Sequence, residues 1–207
     1  MLLGNNLWAQ NDYQLAMQYY QNREFDKAAS VFETLLQRNF NETYLRYYLN
    51  SLVEQKKYTE TEKAIKQYLK RIGHAPTFKV EIGYIYKIMG QLRESDKFFR
   101  DAISESLNDR NEVIAVANRF IGLREFQLAE KTYLDAAKKI KGASFEQELA
   151  NVYFYMRKYA DMVNIYLDLL AQSDAFLQMV QNRLYSAIYS DTDKSLTGIV
   201  EQQLLLK

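Results

Sequence analysis

Apolar residues in this chain follow two rhythms, a short one laid inside a long one. Over the short range they recur at three- and four-residue steps, the spacing of one face of an α-helix. Leu15, Ala16 and Tyr19 follow it, and so do Phe25, Ala28, Phe32, Leu35 and Leu36. Over the long range, Phe25, Tyr58, Leu92, Phe126 and Tyr159 succeed one another at intervals of 33, 34, 34 and 33 residues. Three residues after each comes Ala28, Thr61, Ser95, Ala129 or Met162, most of them small. Four further on stands a bulky Phe32, Ile65, Phe99, Tyr133 or Tyr166. A period near 34 predicts a helix-turn-helix unit that cannot bury its own apolar face and must stack on its neighbours.

The repeats run about 9–42, 43–75, 76–109, 110–142 and 143–172. The second offers Tyr48, Leu49 and Leu52, then Tyr58, Thr61, Ile65 and Leu69. The third is the most regular, with Ile82, Gly83, Tyr86, Gly90, Leu92, Ser95, Phe99, Ala102 and Ile103. Val116, Ala117 and Phe120 open the fourth, and Leu149, Ala150 and Tyr153 the fifth. Residues 173–207 suggest a sixth, irregular pair, with Phe176, Met179, Val180, Leu184 and Ile188 on one helix and Leu196, Ile199, Val200 and Leu204 on the next. Asp191 or Thr192 is placed to cap that second helix. The apolar ending Leu204-Leu205-Leu206 carries no stop signal, so the natural chain is expected to continue past Lys207.

These positions resemble the tetratricopeptide repeat over about residues 10–172. The resemblance implies an all-α fold, a right-handed superhelical array of antiparallel helix hairpins. In it, small residues meet where the two helices of a hairpin touch, here Ala16 with Ala28 and Ala117 with Ala129. Leu49 and Met162 depart from the pattern by standing at small-residue positions, which predicts local splaying of repeats two and five. The turns carry Arg23, Lys56, Arg124 and Arg157 in place of the common Gly, and the one Pro stands in His74-Ala75-Pro76.

Composition narrows the function classes. Lys plus Arg total 27 against 26 for Asp plus Glu, so the chain lacks the basic excess of a protein built to neutralise phosphates. The short basic runs Lys66, Lys70, Arg71 and Lys138, Lys139, Lys141 read as solvated helix faces. Seven Gly and one Pro leave no room for a flexible linker. Without cysteine, disulfides, thiolate metal sites and cysteine nucleophiles are excluded. No apolar run of about 18 residues occurs, so no membrane-spanning helix is expected. At the start, Leu7-Trp8-Ala9-Gln10 resembles the end of a bacterial secretion signal of the Ala-Gln type found in exported Bacteroidetes proteins. Residues 1–9 are thus either a signal-peptide remnant or a lead-in to the first helix, leaving export to the cell envelope and a cytoplasmic location both open.

No catalytic, cofactor-binding or metal-binding residues are assigned. The single histidine, His74, has no metal partner of its own kind and reads as a turn residue. Glu60, Glu62, Glu81 and Glu148 are read as solvated helix carboxylates, and neither a phosphate-binding Gly loop nor a serine nucleophile elbow is present. The resemblance instead implies that first helices line a concave groove. It places there Tyr13, Met17, Tyr20, Arg46, Tyr47, Asn50, Tyr84, Lys87, Asn118, Asn151 and Tyr155, with Gln21, Glu81, Ile121 and Glu148 beside them. Asn50, Asn118 and Asn151 are equivalent positions, and an amide can pair with the backbone of an extended peptide. Arg46 and Asn50 imitate the first pair of a carboxylate clamp known in the family, but Glu81, Asn111 and Ala115 do not continue it.

The reading is a non-enzymatic protein-protein interaction scaffold holding a peptide or protein in its concave groove, and, if the chain is exported, a role in bacterial cell-envelope assembly or secretion is expected. Its first rival is a sensing or spacer module of a longer regulatory or envelope protein. A second is an RNA-binding array of pentatricopeptide type, which Met17, Tyr84 and Ile121 disfavour.

Overall fold

A computed structural model describes the backbone of residues 3–192 and 194–206, with side chains from Asn11 onward. Met1, Leu2 and Lys207 lie outside the described residues, as do the side chains on which the signal-like reading of 1–9 depends. Among the described residues the structure is helical, with no strand. The helices are α1 (Leu3–Gln21), α2 (Phe25–Arg38), α3 (Glu42–Glu54), α4 (Tyr58–Leu69), α5 (Pro76–Ile88) and α6 (Leu92–Ser106). They continue with α7 (Arg110–Gly122), α8 (Phe126–Lys139), α9 (Glu146–Tyr155), α10 (Tyr159–Gln172), α11 (Leu177–Ser190) and α12 (Ser195–Leu206). Phe25, Tyr58, Leu92, Phe126 and Tyr159 are each the first residue of a hairpin's second helix. The chain forms two compact units, Met1–Glu105 and Ser106–Lys207.

The turn inside each of the first five hairpins is the same object. Arg23, Lys56, Gly90, Arg124 and Arg157 all hold positive φ, between 57° and 77°. The next residue's amide reaches back five residues: Glu24 to Tyr19, Lys57 to Leu52, Gln91 to Tyr86, Glu125 to Phe120 and Lys158 to Tyr153, at 2.8–2.9 Å. The left-handed residue's own amide bonds the carbonyl three residues back. This pair of bonds is a Schellman motif, which satisfies carbonyls left without partners at the helix end. The turn is so tight that Glu24, Lys57, Glu125 and Lys158 also serve as N-caps of the following helix, without a side-chain capping bond.

Between hairpins the signals differ. Asn41 accepts from the amides of Thr43 and Tyr44, capping α3, and Asp109 caps α7 through Asn111 and Glu112. Pro76 opens α5, where its missing N–H costs nothing. Asp191 accepts from the amide of Leu196 at the start of α12 and from the Tyr159 hydroxyl at 3.2 Å.

In unit one, Ala16, Ala28 and Phe32 are fully buried. The core continues through Leu36, Leu45, Leu49, Ile65, Phe78 and Ile82 to Phe98. Each fully buried Leu, Ile or Phe contributes roughly 1.5–3 kcal/mol against exposure. Leu15 is 40% exposed and stays off the buried face, because Ala16 beside it takes the contact with the second helix. In unit two, Ala117, Ala129, Phe120 and Tyr133 are buried, and Met162, Tyr166, Val180 and Leu196 join α10 to the last two helices. Leu49 and Met162, which stand where the repeat pattern expects a small residue, are nonetheless sealed from solvent.

Gly83 shows how little room the hairpin contact leaves. A Cβ built there would stand 2.6 and 2.7 Å from ring carbons of Phe99, itself buried. Gly83→Ala is expected to cost about 1–3 kcal/mol through overpacking. A thermal melt of the purified variant checks it, and Phe99→Leu in the same chain should recover part of the loss.

The left-handed cations predict the opposite sign. A non-Gly residue at positive φ costs about 1–2 kcal/mol, whereas an exposed cation near a helix C-terminus gains about 0.3–1 kcal/mol. The first effect is larger, so Arg124→Gly should stabilise unit two by about 0.5–1 kcal/mol, read from urea denaturation.

Candidate functional site

In unit one the first helices are α1, α3 and α5, and spacings of three and four residues bring the predicted side chains to common faces. Tyr13, Met17 and Tyr20 lie along α1, Arg46, Tyr47 and Asn50 along α3, and Tyr84 and Lys87 along α5. All are half-buried except Lys87, which is exposed. Ring contacts lock α1 to α3. Tyr13 meets Tyr44 at 5.5 Å between centroids, and Tyr20 meets Tyr47 edge-on at 4.9 Å. Tyr47 also stacks on Phe32 at 5.3 Å, so the aromatic row on this face is continuous with the core.

The polar groups of this face are turned toward one another. Burial raises the Tyr20 hydroxyl above its ordinary pKa, the Glu54 and Tyr47 charges add to the rise, and a hydrogen bond from the Asn50 side chain opposes it. Burial likewise raises Tyr13, reinforced by Tyr47 and Tyr44 and opposed by the Arg46 charge. Arg46 donates its Nε–H to Glu81, tying α3 to α5. Glu81 therefore departs from the solvated role expected for it: it is only 6% exposed, because α5 packs its N-terminal half into the core and Arg46 supplies the compensating charge. The structure thus gathers Tyr13, Tyr20, Arg46, Tyr47 and Asn50, and uses much of their hydrogen-bonding capacity internally.

Unit two is arranged differently. Asn118 is exposed on α7. Tyr155, at the end of α9, is 47% exposed yet held flat against Phe126, with centroids 5.6 Å apart and planes 5° apart. The Asn151 side chain, one turn earlier on α9, makes no hydrogen bond among the described residues. It borders a cleft of about 260 Å³ whose walls come from α9, α10 and α11, including Phe154, Tyr155, Met162, Tyr166 and Arg183. A second cleft of about 160 Å³, lined by Gln147, Glu148, Asn151 and Arg183, shares two of those residues. Glu148, also expected on a solvated face, is half-buried and accepts from Arg110 at 2.6 Å.

The repeat pattern does not single out Arg183, the single charged residue of α11. It is exposed and makes no ion pair among the described residues. Its charge reaches Tyr166: burial raises that hydroxyl's pKa, and the Arg183 guanidinium pulls it back down. His74 is exposed, with Nδ1 at 4.0 Å from the Glu105 carboxylate. Among the described residues no group of three or more His, Asp and Glu is placed to hold a metal ion, and no helix is long and apolar enough to cross a membrane.

No family model matches the chain, and no curated protein matches it. Solved structures similar to it include a thermophilic TPR protein of Thermus thermophilus, with 18% identity over 87% of this chain and 99% of that one, at a TM-score of 0.44. The TPR2AB domain of yeast Sti1, in a pHSP90 complex, is similar at 13% identity over 96% of this chain and 97% of that one, with a TM-score of 0.41. The C-terminal part of a TPR repeat-containing protein from Cytophaga hutchinsonii is similar at 17% identity over 94% and 78%, again with a TM-score of 0.41.

The ion pair between α3 and α5 can be tested directly. Arg46→Ala leaves the Glu81 carboxylate buried beside fewer donors and should destabilise unit one by about 1–3 kcal/mol. Arg46→Ala combined with Glu81→Leu should be closer to the parent than the single variant. Denaturant midpoints of the set measure the difference.

Proposed function

We propose that this array of tetratricopeptide-type helix hairpins is a non-enzymatic scaffold that binds a protein or peptide on the first-helix faces of its two units. The observation that carries the reading is the state of Asn151 and Tyr155. A half-exposed ring held rigid by stacking can bury apolar area on binding without losing much side-chain freedom. The Asn151 side-chain amide one turn before it makes no hydrogen bond among the described residues, and an amide offers both donor and acceptor to an incoming backbone. In unit one, Tyr13, Met17, Tyr20, Tyr47 and Tyr84 offer a half-buried aromatic surface of the same kind.

The same reasoning ranks the residues. Asn50 is engaged by Tyr20, so its loss would disturb unit one as well as any partner. Asn118 and Asn151 carry no such duty, and substituting them should leave stability within about 0.5 kcal/mol of the parent. Asn151→Ala with Tyr155→Ala is expected to weaken capture of a partner from native extract by tenfold or more, on the order of 1.4 kcal/mol. Melting should be little changed. Undiminished recovery of every captured protein by that variant, and by Asn118→Ala, would remove this face from the account.

A further inference from the structure

We propose that the cleft between α9, α10 and α11 is a discrete binding site for a carboxylate carried on a small apolar body. The inference rests on the reading of the first-helix face as a binding surface, because Asn151 and Tyr155 belong to both, and it names what unit two accepts there.

The lining divides by chemistry. Phe154, Tyr155, Met162, Tyr166 and Ala187 supply apolar walls. The polar lining groups are the Asn151 amide from α9 and, from α11, the Arg183 guanidinium and the hydroxyls of Ser186 and Ser190. Ser190 spends its proton on the Ser186 carbonyl at 2.8 Å. The Asn151 side chain and the Ser186 hydroxyl make no hydrogen bond among the described residues. Among the described residues Arg183 makes no ion pair. Its nearest acidic neighbour in the lining is Glu148, across the smaller cleft, and Arg110 already holds that carboxylate at 2.6 Å. The site therefore presents a cation and two neutral donors together with apolar walls, and Glu148 beside it is already paired with Arg110.

Size limits the occupant. At about 260 Å³ the cleft falls below the roughly 300–1,000 Å³ of sites for drug-sized ligands and cofactors. It suits one side chain or one small acid. A guanidinium pairs with a planar carboxylate through two parallel N–H···O bonds, and partial enclosure strengthens them relative to open water. The site differs from a clamp built on first helices alone, because Met162 and Tyr166 come from the second helix α10 and Arg183 from the irregular sixth hairpin. The carboxylate could belong to an acidic residue of a bound peptide or to a free aryl acid, and the test separates the two.

The probes are phenylacetate and its uncharged analogue phenylacetamide, titrated into the full chain by ligand-observed NMR. Phenylacetate should bind with a Kd on the order of 1 mM, as expected for about ten non-hydrogen atoms. Phenylacetamide should bind about tenfold more weakly. Arg183→Gln should erase that difference, weakening the acid and leaving the amide unchanged, while the exposed Lys138→Gln alters neither. A third arm uses an end-blocked peptide with one internal glutamate beside a phenylalanine. Binding as tight as phenylacetate, and equally sensitive to Arg183→Gln, assigns the site to a peptide. Binding of the free acid alone assigns it to a small molecule. Equal affinity for acid and amide, or a preference that survives Arg183→Gln, overturns the proposal. If it is overturned while Asn151→Ala with Tyr155→Ala still loses its captured partner, the scaffold reading stands without this site.

Discussion

The close approach of two helices at a small residue is the contact on which the rest of this structure depends. A helix hairpin has one apolar seam inside and another outside, and the inner one closes only where side chains nearly vanish. Gly83 against Phe99 shows the limit, since a single methyl there would stand inside the ring's van der Waals radius. Ala16, Ala28, Ala117, Ala129 and Ala150 are fully buried at the corresponding seams. With the inner seam shut, large rings such as Phe32 and Tyr133 are left to fill the space between hairpins.

That packing demands a turn of fixed geometry, and here the chain tolerates strain. Four of the five left-handed residues in the turns of the first five hairpins are Arg or Lys, where glycine would be relaxed. The two Schellman hydrogen bonds hold them in place, and a cation beside the last carbonyls recovers a fraction of the cost. Chain reversal is thus enforced by the helices on either side more than by the preference of the turn residue.

The two units treat their first-helix faces differently. In unit one the aromatic and amide groups are joined to one another and to the core, so they hold α1, α3 and α5 together before they are available to anything else. In unit two the irregular sixth hairpin leaves an opening bordered by Asn151, Arg183 and Ser186. Recognition at such an opening requires no rearrangement of the core, because Tyr155 is already fixed by Phe126.

Helix type, hairpin length and the start of each second helix were legible from the residues alone, because period and side-chain size are properties of a sequence. The positions of Asn151 and Tyr155 on a first-helix face were legible too, through the regular repeat. Arg183 was hidden in a helix that has lost the repeat's pattern, and the burial of Glu81 depended on a partner 35 residues away. Whether an amide on a shared face is spent internally, like Asn50, or left open, like Asn151, is decided by which ring lies across from it. A local pattern specifies which side chains share a face; only the tertiary packing of one helix on the next decides which polar atoms are satisfied and where space remains.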